Sequence, residues 1–229
     1  MFLDGYGPLI AIGAWLTIKV ALLSLLVAFS IGMCCATAKL SSSRIAVWSA
    51  TVYTTLIRGI PDLVLMLLIY YSVQIWLNQA TEGLGLSQID IDPFSAAVIT
   101  LGFIYGAYFT ETLRGAFLSV PRGQMEAAYA YGMSRATAFR RILFPQMMRF
   151  ALPGLSNNWQ VLLKSAGLVS LLGLNDMVKA ARQAGDATAE QFFFYAVVAV
   201  IFLLFTSLSQ LLVQYLERRY SHGVREAQL

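Results

Sequence analysis

Charged residues are scarce in this 229-residue chain, and together aspartate, glutamate, lysine and arginine make up only 12% of it. A soluble domain carries roughly 25% charged residues. Hydrophobic residues account for 58%, and the mean hydropathy is +0.67. With so few charges, most side chains have no reason to face water. The composition excludes an ordinary soluble protein and predicts a membrane protein.

Residues that bind metals or form disulfides are also scarce. The two cysteines, Cys34 and Cys35, are adjacent within an apolar stretch, and the single histidine, His222, lies in a polar tail. Adjacent cysteines are poorly placed to bridge each other, and these residues supply too few ligands for a metal site. We therefore predict no metal site and interpret all three residues as structurally incidental.

Catalytic motifs are missing as well. The sequence has no GxxxxGKS or GxxxxGKT loop to hold ATP phosphates, and no Ser/His/Asp set. We expect no catalytic residue and no bound cofactor in this chain, and nucleic acid is not among its expected partners. Any energy for transport must come from another subunit.

Apolar stretches long enough to cross a bilayer occur about five times. A helix needs about 20 mainly apolar residues to span the hydrocarbon core. Hydropathy predicts spans at residues 9–38, 53–77, 94–118, 151–172 and 192–216. The predicted fold is an all-α bundle of about five transmembrane helices, with residues 1–229 forming a single transmembrane domain.

Basic and acidic residues separate to opposite sides of these spans. Most basic residues lie at or beyond the ends of spans one, three and five: Lys39, Arg44, Arg114, Arg122, Arg135, Arg140, Arg141, Arg149, Arg218, Arg219 and Arg225. The other side holds most of the acids: Asp4, Glu82, Asp90, Asp92, Asp176, Asp186 and Glu190. Because basic loops stay in the cytoplasm, we predict a bacterial inner-membrane protein with its N-terminus outside and its C-terminus inside.

Small residues recur at four-residue intervals in two spans. They are Ser24, Ala28, Gly32 and Ala36 in span one, with Gly102 and Gly106 in span three. Small residues let helix backbones approach closely within a membrane. We favour packing within the subunit as their role, and contact between subunits is the alternative.

The stretch between spans three and four is the most informative part of the chain. Pro121 and Gly123 interrupt the incoming helix, and helix-forming residues then run from Gln124 to Phe144. Three arginines at positions 135, 140 and 141 make this stretch too polar to span a membrane. We predict a helix along the inner membrane surface.

This stretch resembles the signature of the membrane subunits of ABC importers: Glu-Ala-Ala, three residues, Gly, nine residues, Ile, one residue, Leu, Pro. The matching residues are Glu126, Ala127, Ala128, Gly132, Ile142 and Pro145, with Phe144 in place of Leu. In that family the stretch docks in a groove of the ATPase subunit, and residues 121–145 are therefore called the coupling segment. The alternative is an amphipathic interfacial helix without a partner.

Further motifs narrow the resemblance to polar amino acid importers. They include Arg58-Gly-Ile-Pro61, Ala107-Tyr-Phe-Thr-Glu111, Ile89-Asp-Ile-Asp-Pro93 and Asn157-Asn-Trp-Gln160, the last two most similar to the histidine/lysine/arginine/ornithine branch. The resemblance implies a type I ABC importer permease. It also implies a second related membrane subunit, two cytoplasmic ATPase subunits that bind ATP and magnesium, and a periplasmic binding protein.

Four ionisable residues inside the predicted spans are candidates for a pathway or gate: Arg58, Asp62, Glu111 and Lys164. Charges within a membrane usually pair or face water. In one interpretation Arg58 pairs with Asp62 or Glu111 and locks the helices. In the other, one base against two acids leaves spare negative charge at a cytoplasmic-side gate, which helps a cationic substrate to leave.

Two polar stripes extend this candidate pathway. Helical spacing places Tyr105, Tyr108 and Glu111 on one face of span three, and Asn157, Gln160 and Lys164 on one face of span four. Such stripes more often face a cavity or a partner helix than lipid. We predict that both stripes line the pathway.

The leading functional prediction is a transport subunit of an ATP-driven importer that moves basic amino acids from periplasm to cytoplasm. The same machinery for an opine or another polar amino acid is the first alternative. An ion-driven secondary transporter is the second, and the coupling segment argues against it because such a carrier has no ATPase to dock.

Overall fold

The computed structural model describes residues 2–220, and within that range the chain is helical and has no strand. Its α-helices are α1 (Gly7–Lys39), α2 (Arg44–Gly59), α3 (Asp62–Gly83), α4 (Pro93–Ser119), α5 (Arg122–Ala130), α6 (Arg135–Ala138), α7 (Phe144–Ser165), α8 (Met177–Thr188) and α9 (Gln191–Tyr220). The predicted all-α architecture is confirmed. His222 and Arg225 lie outside the described residues.

Four helices of the described range, α1, α3, α4 and α9, are long and apolar enough to cross a membrane. A fifth crossing arises if the pair Arg135–Leu172 and Met177–Thr188, which is bent by 57°, forms one broken span. The expectation of about five crossings agrees with this arrangement, although the fourth is not the simple helix that hydropathy suggested.

Among the described helices, α1 and α4 make the most extensive contact, and the small residues of α1 make it possible. Ser24, Ala28, Gly32 and Ala36 are all buried. The Ser24 hydroxyl donates to the carbonyl oxygen of Val98 at 3.3 Å. A Cβ on Gly32 would lie only 2.6 Å from the Cβ of Phe109, so the two backbones approach as closely as glycine allows. These small residues pack within the chain.

The predicted second span, residues 53–77, is not one helix. α2 ends at Gly59, and α3 begins at Asp62. Ile60 is extended, with φ −117° and ψ 141°, because the residue before a proline avoids helical geometry. Pro61 also lacks the N–H that an unbroken helix would need. The prediction of this span was wrong in its bounds, since the apolar helix runs from Asp62 to Gly83.

The coupling segment is also interrupted, and it does not form the single helix from Gln124 to Phe144 that was predicted. α5 ends at Ala130, and Gly132 takes φ +75°, a conformation that favours glycine. The chain then turns into α6, with the Ser134 hydroxyl accepting from the N–H of Thr137 at 3.3 Å. A π-helical stretch at Phe139–Leu143 joins α6 to α7. The second half of the coupling segment is therefore the beginning of the next long helix.

The predicted fourth span, residues 151–172, starts earlier and ends irregularly. α7 begins at Phe144, and a 3₁₀ stretch replaces it over Ala166–Leu172. The short α8 that follows was not predicted, because its 12 residues are amphipathic rather than apolar. Asp176 caps α8 by accepting from the N–H of Lys179 at 3.0 Å, and the adjacent Met177 packs against α1 beside Thr17.

Candidate transport pathway and coupling surface

Glu111, on α4, is bound by basic residues on both of its carboxylate oxygens. Lys39, at the end of α1, donates to Oε1. Arg114, one turn along α4, donates to Oε2 from Nε at 3.0 Å and from Nη2 at 2.9 Å. The interpretation that Arg58 pairs with Glu111 is therefore wrong. Lys39 has the better position because α1 packs along α4 and ends beside Glu111.

Lys39 also reaches α2. Its Nζ lies 2.6 Å from the hydroxyl of Thr54, and its side chain is only 9% exposed. One ammonium group thus contacts α2 and α4 from the end of α1. Lys39 was predicted only as a basic residue beyond the end of span one, so its role between three helices was missed.

Asp62, the first residue of α3, is held by two tyrosines of α4. The hydroxyl of Tyr105 donates to Oδ2 at 2.7 Å, and the hydroxyl of Tyr108 donates to Oδ1 at 3.3 Å. The Tyr105 hydroxyl is also 2.7 Å from that of Ser165, the last residue of α7. Within residues 2–220, Asp62 forms no ion pair, and the helix break at Pro61 removes the geometry that could have paired it with Arg58.

Arg58 lies near the end of α2 and is exposed. Its guanidinium carbon is 5.5 Å from the ring centroid of Tyr108, a cation–π contact. A cavity of about 490 Å³ lies beside it and is lined by Arg58, Tyr108, Glu111, Lys39 and Thr54 among others. Tyr108 therefore stands between the guanidinium of Arg58 and the carboxylate of Asp62.

The charge balance of this region differs from the predicted one. The sequence predicted one base, Arg58, against two acids, Asp62 and Glu111. The structure adds Lys39 and Arg114, so Arg58 and these two residues face Asp62 and Glu111. The region is not net negative. Spare negative charge is confined to Asp62, because Glu111 is neutralised by two cations.

The two predicted stripes differ in their surroundings. On α4, Tyr105 is buried, and Tyr108 and Glu111 are half-buried and line the cavity. On α7, Asn157 and Lys164 are exposed, and the side chain of Gln160 donates to Gln210 of α9. The structure does not bring the α7 stripe to Asp62. Ser165 and Asn158, which bonds Thr112 at 2.9 Å, connect α7 to α4 instead.

The signature residues of the coupling segment form a mostly open surface. Glu126, Ala127 and Gly132 are exposed, Ala128 is buried, and Ile142 and Pro145 are half-buried. The side chain of Gln146 donates to that of Gln124 at 3.2 Å and ties α5 to the start of α7. Tyr129 and Tyr131 are also exposed, at 47% and 87%. Two exposed aromatic rings beside two alanines suit a surface that another protein covers.

Some residues of this site had no recognisable signal in the sequence. Thr54 and Ser165 are ordinary hydroxyl residues of apolar helices, and only the fold brings them to Lys39 and Tyr105. Lys39 carried a signal of another kind, because a basic residue after a span indicates the cytoplasmic side. That rule gives the side of the membrane on which the helix ends, but it does not give the residue that the side chain contacts.

Comparison with known proteins places these features in a family. Residues 28–222 match the family model described as "Binding-protein-dependent transport system inner membrane component". The chain is 57% identical over 227 residues to the histidine/lysine/arginine/ornithine transport system permease protein HisQ of Escherichia coli (strain K12), covering 99% of this chain and 100% of the relative. It is 35% identical to the octopine transport system permease protein OccQ of Rhizobium radiobacter, covering 97% and 94%.

A solved structure supports the same relationship. The crystal structure of an amino acid ABC transporter with histidines superposes with a TM-score of 0.77 at 32% identity, covering 93% of this chain and 95% of that one. Sequence and fold agree over nearly the whole chain. The chain belongs to the family of inner membrane components of binding-protein-dependent transport systems.

Proposed function

We propose that this chain is the membrane subunit of an ATP-driven importer of basic amino acids, moving histidine, arginine, lysine and ornithine from periplasm to cytoplasm. One observation carries the substrate class. Asp62 is a half-buried carboxylate held by two tyrosine hydroxyls and, within residues 2–220, it has no cationic partner. A cationic side chain supplies the charge that this site lacks.

Arg58 complements Asp62. Its guanidinium borders the 490 Å³ cavity and lies over the ring of Tyr108, and within residues 2–220 it forms no ion pair. An α-amino acid carries a carboxylate, which suits a guanidinium, and a basic one adds a second positive group, which suits a carboxylate. The full-length similarity to HisQ supports the same substrates.

The remaining parts of the machine follow from the same proposal. A second related membrane subunit completes the pathway, and two ATPase subunits bind ATP and magnesium and dock on the coupling segment. A periplasmic binding protein delivers the substrate. Residues 1–229 act as one permease domain, with the N-terminus outside and the C-terminus in the cytoplasm.

Uptake into proteoliposomes tests the proposal. The complete complex is reconstituted with ATP inside, the binding protein outside, and labelled arginine, lysine, histidine, ornithine, glutamine and octopine in turn. We expect ATP-dependent uptake of the basic amino acids. A preference for glutamine or octopine, or uptake driven by an ion gradient without ATP, contradicts it.

The variant Asp62→Asn tests the site itself. Its amide oxygen still accepts from one of the two tyrosine hydroxyls and its NH2 group can donate to the oxygen of the other, while the negative charge is lost. The variant loses the attraction between the half-buried carboxylate and the cationic side chain of the substrate, which is worth about 1–1.5 kcal/mol. We therefore expect uptake of arginine and lysine to fall about five- to tenfold. Histidine should lose less, since a free imidazole with a pKa of about 6.5 is mostly neutral at pH 7.5. Asp186→Asn is the control, as its carboxylate is exposed and pairs with Arg182 at 3.8 Å. Equal losses for all substrates contradict the assignment.

A further inference from the structure

α2 is held to the rest of the chain by few contacts. Only Ala50, Thr54 and Ile57 are buried along its length. Large apolar residues such as Ile45 and Trp48 are 81% and 70% exposed. A short loop precedes α2 and the break at Ile60–Pro61 follows it. A helix bounded by two non-helical segments and attached by few contacts can shift as a unit.

Two polar contacts attach α2 to its neighbours. The Tyr53 hydroxyl donates to the carbonyl oxygen of Phe103 on α4. Thr54 meets the Lys39 ammonium, which also binds Glu111. The second contact joins α1, α2 and α4 at one point. Because Lys39 is only 9% exposed, water is largely excluded from competing for its hydrogen bonds.

α4 connects this point to the coupling segment. Its helix runs without interruption from Glu111 to Ser119, about 12 Å at 1.5 Å per residue, and α5 begins three residues later at Arg122. Arg114 lies on the same stretch and binds the second oxygen of Glu111. Val120 and Pro121 link α4 to α5, and Val120 is buried in one cluster with Leu113 and Ala116 of α4. A displacement of α5 is passed through this packed link to α4 and then along its continuous helix to Glu111.

We infer that Glu111 is a positioning residue that couples the movement of the coupling segment to α2. Held by Lys39 and Arg114, it makes the end of α1 and the whole of α2 follow α4. Movement of α2 changes the break at Ile60–Pro61, which separates Arg58 from Asp62. This inference rests on the proposed function, because it explains how ATP hydrolysis reaches the proposed substrate groups.

Two variants separate coupling from simple stability. Thr54→Val keeps the shape of the side chain and the Lys39–Glu111 pair, but removes the contact to α2. The double change Lys39→Met with Glu111→Met removes the carboxylate and its buried partner together, so no orphan charge remains between the helices. Arg114, whose side chain is 36% exposed, can then turn to water. Asp186→Asn again serves as the control.

The measurement is the amount of arginine taken up per ATP hydrolysed, in proteoliposomes that contain the complete complex and the binding protein. We expect both variants to assemble and hydrolyse ATP, and the uptake per ATP to fall about fivefold or more, a usual size for coupling between sites. A purely structural role predicts an unchanged ratio wherever the complex assembles.

The outcomes are distinguishable from failure of the proposed function. If the wild-type complex shows no ATP-dependent uptake of arginine, the proposed function itself fails. If the wild type transports and the variants keep its uptake per ATP, only the coupling role of Glu111 is overturned. Should the double variant fail to assemble, Thr54→Val decides the question alone, because it leaves every charge in place.

Discussion

At the scale of single residues, glycine sets the distance between α1 and α4. Gly32→Ala places a Cβ 2.6 Å from the Cβ of Phe109, so a backbone must move. We expect a loss of about 1–3 kcal/mol of stability, the usual cost of overpacking. Gly115→Ala is the matched control on α4, since nothing lies within 4 Å of its Cβ. It should be neutral, or stabilising by up to about 1 kcal/mol.

Thermal unfolding of the purified complex in detergent measures both changes. A midpoint that falls for Gly32→Ala and stays level or rises for Gly115→Ala supports the close contact. Equal midpoints for the two variants would show that the backbones can separate at Gly32 without cost.

Residue partners were the part of the site that the sequence predicted least well. The charged residues of the spans were found, because a charge within an apolar stretch is conspicuous. The partner of Glu111 was not found, because Lys39 is 72 positions away in the chain and no local spacing encodes that contact. The tyrosine partners of Asp62 were named as members of a stripe, but not as its hydrogen-bond donors.

At the scale of elements, the coupling segment carries the clearest prediction. Glu126 is exposed, so Glu126→Lys leaves the fold intact. Charge reversal on a docking surface should cost about 2 kcal/mol or more, roughly a 30-fold weaker association. We expect less ATPase subunit to co-purify and uptake to fall in parallel. Glu82→Lys, a charge reversal at another exposed residue that lies outside the coupling segment, is the control.

A second position in the coupling segment extends this test. Gly132→Asp adds bulk and charge to the exposed turn, while Gly132→Asn adds the same bulk without charge at a positive φ that asparagine tolerates. Asp should weaken docking more than Asn. Normal co-purification of the ATPase in Glu126→Lys and Gly132→Asp together would remove the docking assignment.

Hydropathy located the long apolar helices but not the breaks between helices. The long apolar helices α1, α4 and α9 fall close to the predicted spans, because length and apolarity alone specify them. The break before α3 was signalled by Gly59 and Pro61, yet a hydropathy window averages over both residues. The turn at Gly132 interrupts the run from Gln124 to Phe144 that was predicted as one helix. The residues after it belong to the helix that continues into α7.

At the scale of the whole molecule, orientation is the property to test. In a chain with Cys34→Ser and Cys35→Ser, the variant Ser87→Cys should react with an impermeant thiol reagent added outside intact cells. Ala136→Cys should react only after permeabilisation. Both positions are exposed, and Ala136 is preferable to Ser134, whose hydroxyl caps α6. We expect this pattern because the basic residues are concentrated on the side of the coupling segment, and basic loops stay in the cytoplasm.

The control for this experiment is the cysteine-free chain, which should remain unlabelled under both conditions. Labelling of Ala136→Cys from outside, together with protection of Ser87→Cys, would invert the proposed topology. The docking surface would then face the periplasm, where no ATPase subunit is available.

The unequal lengths of the apolar helices have a consequence for the surrounding bilayer. At 1.5 Å per residue, α1 with 33 residues is about 50 Å long and α9 with 30 about 45 Å, whereas α3 with 22 reaches only about 33 Å. A hydrocarbon core is about 30 Å thick. α3 therefore matches the membrane with little to spare, while α1 and α9 must tilt or protrude. Thicker membranes strain α3 first, so bilayer thickness acts directly on the helix that begins with Asp62.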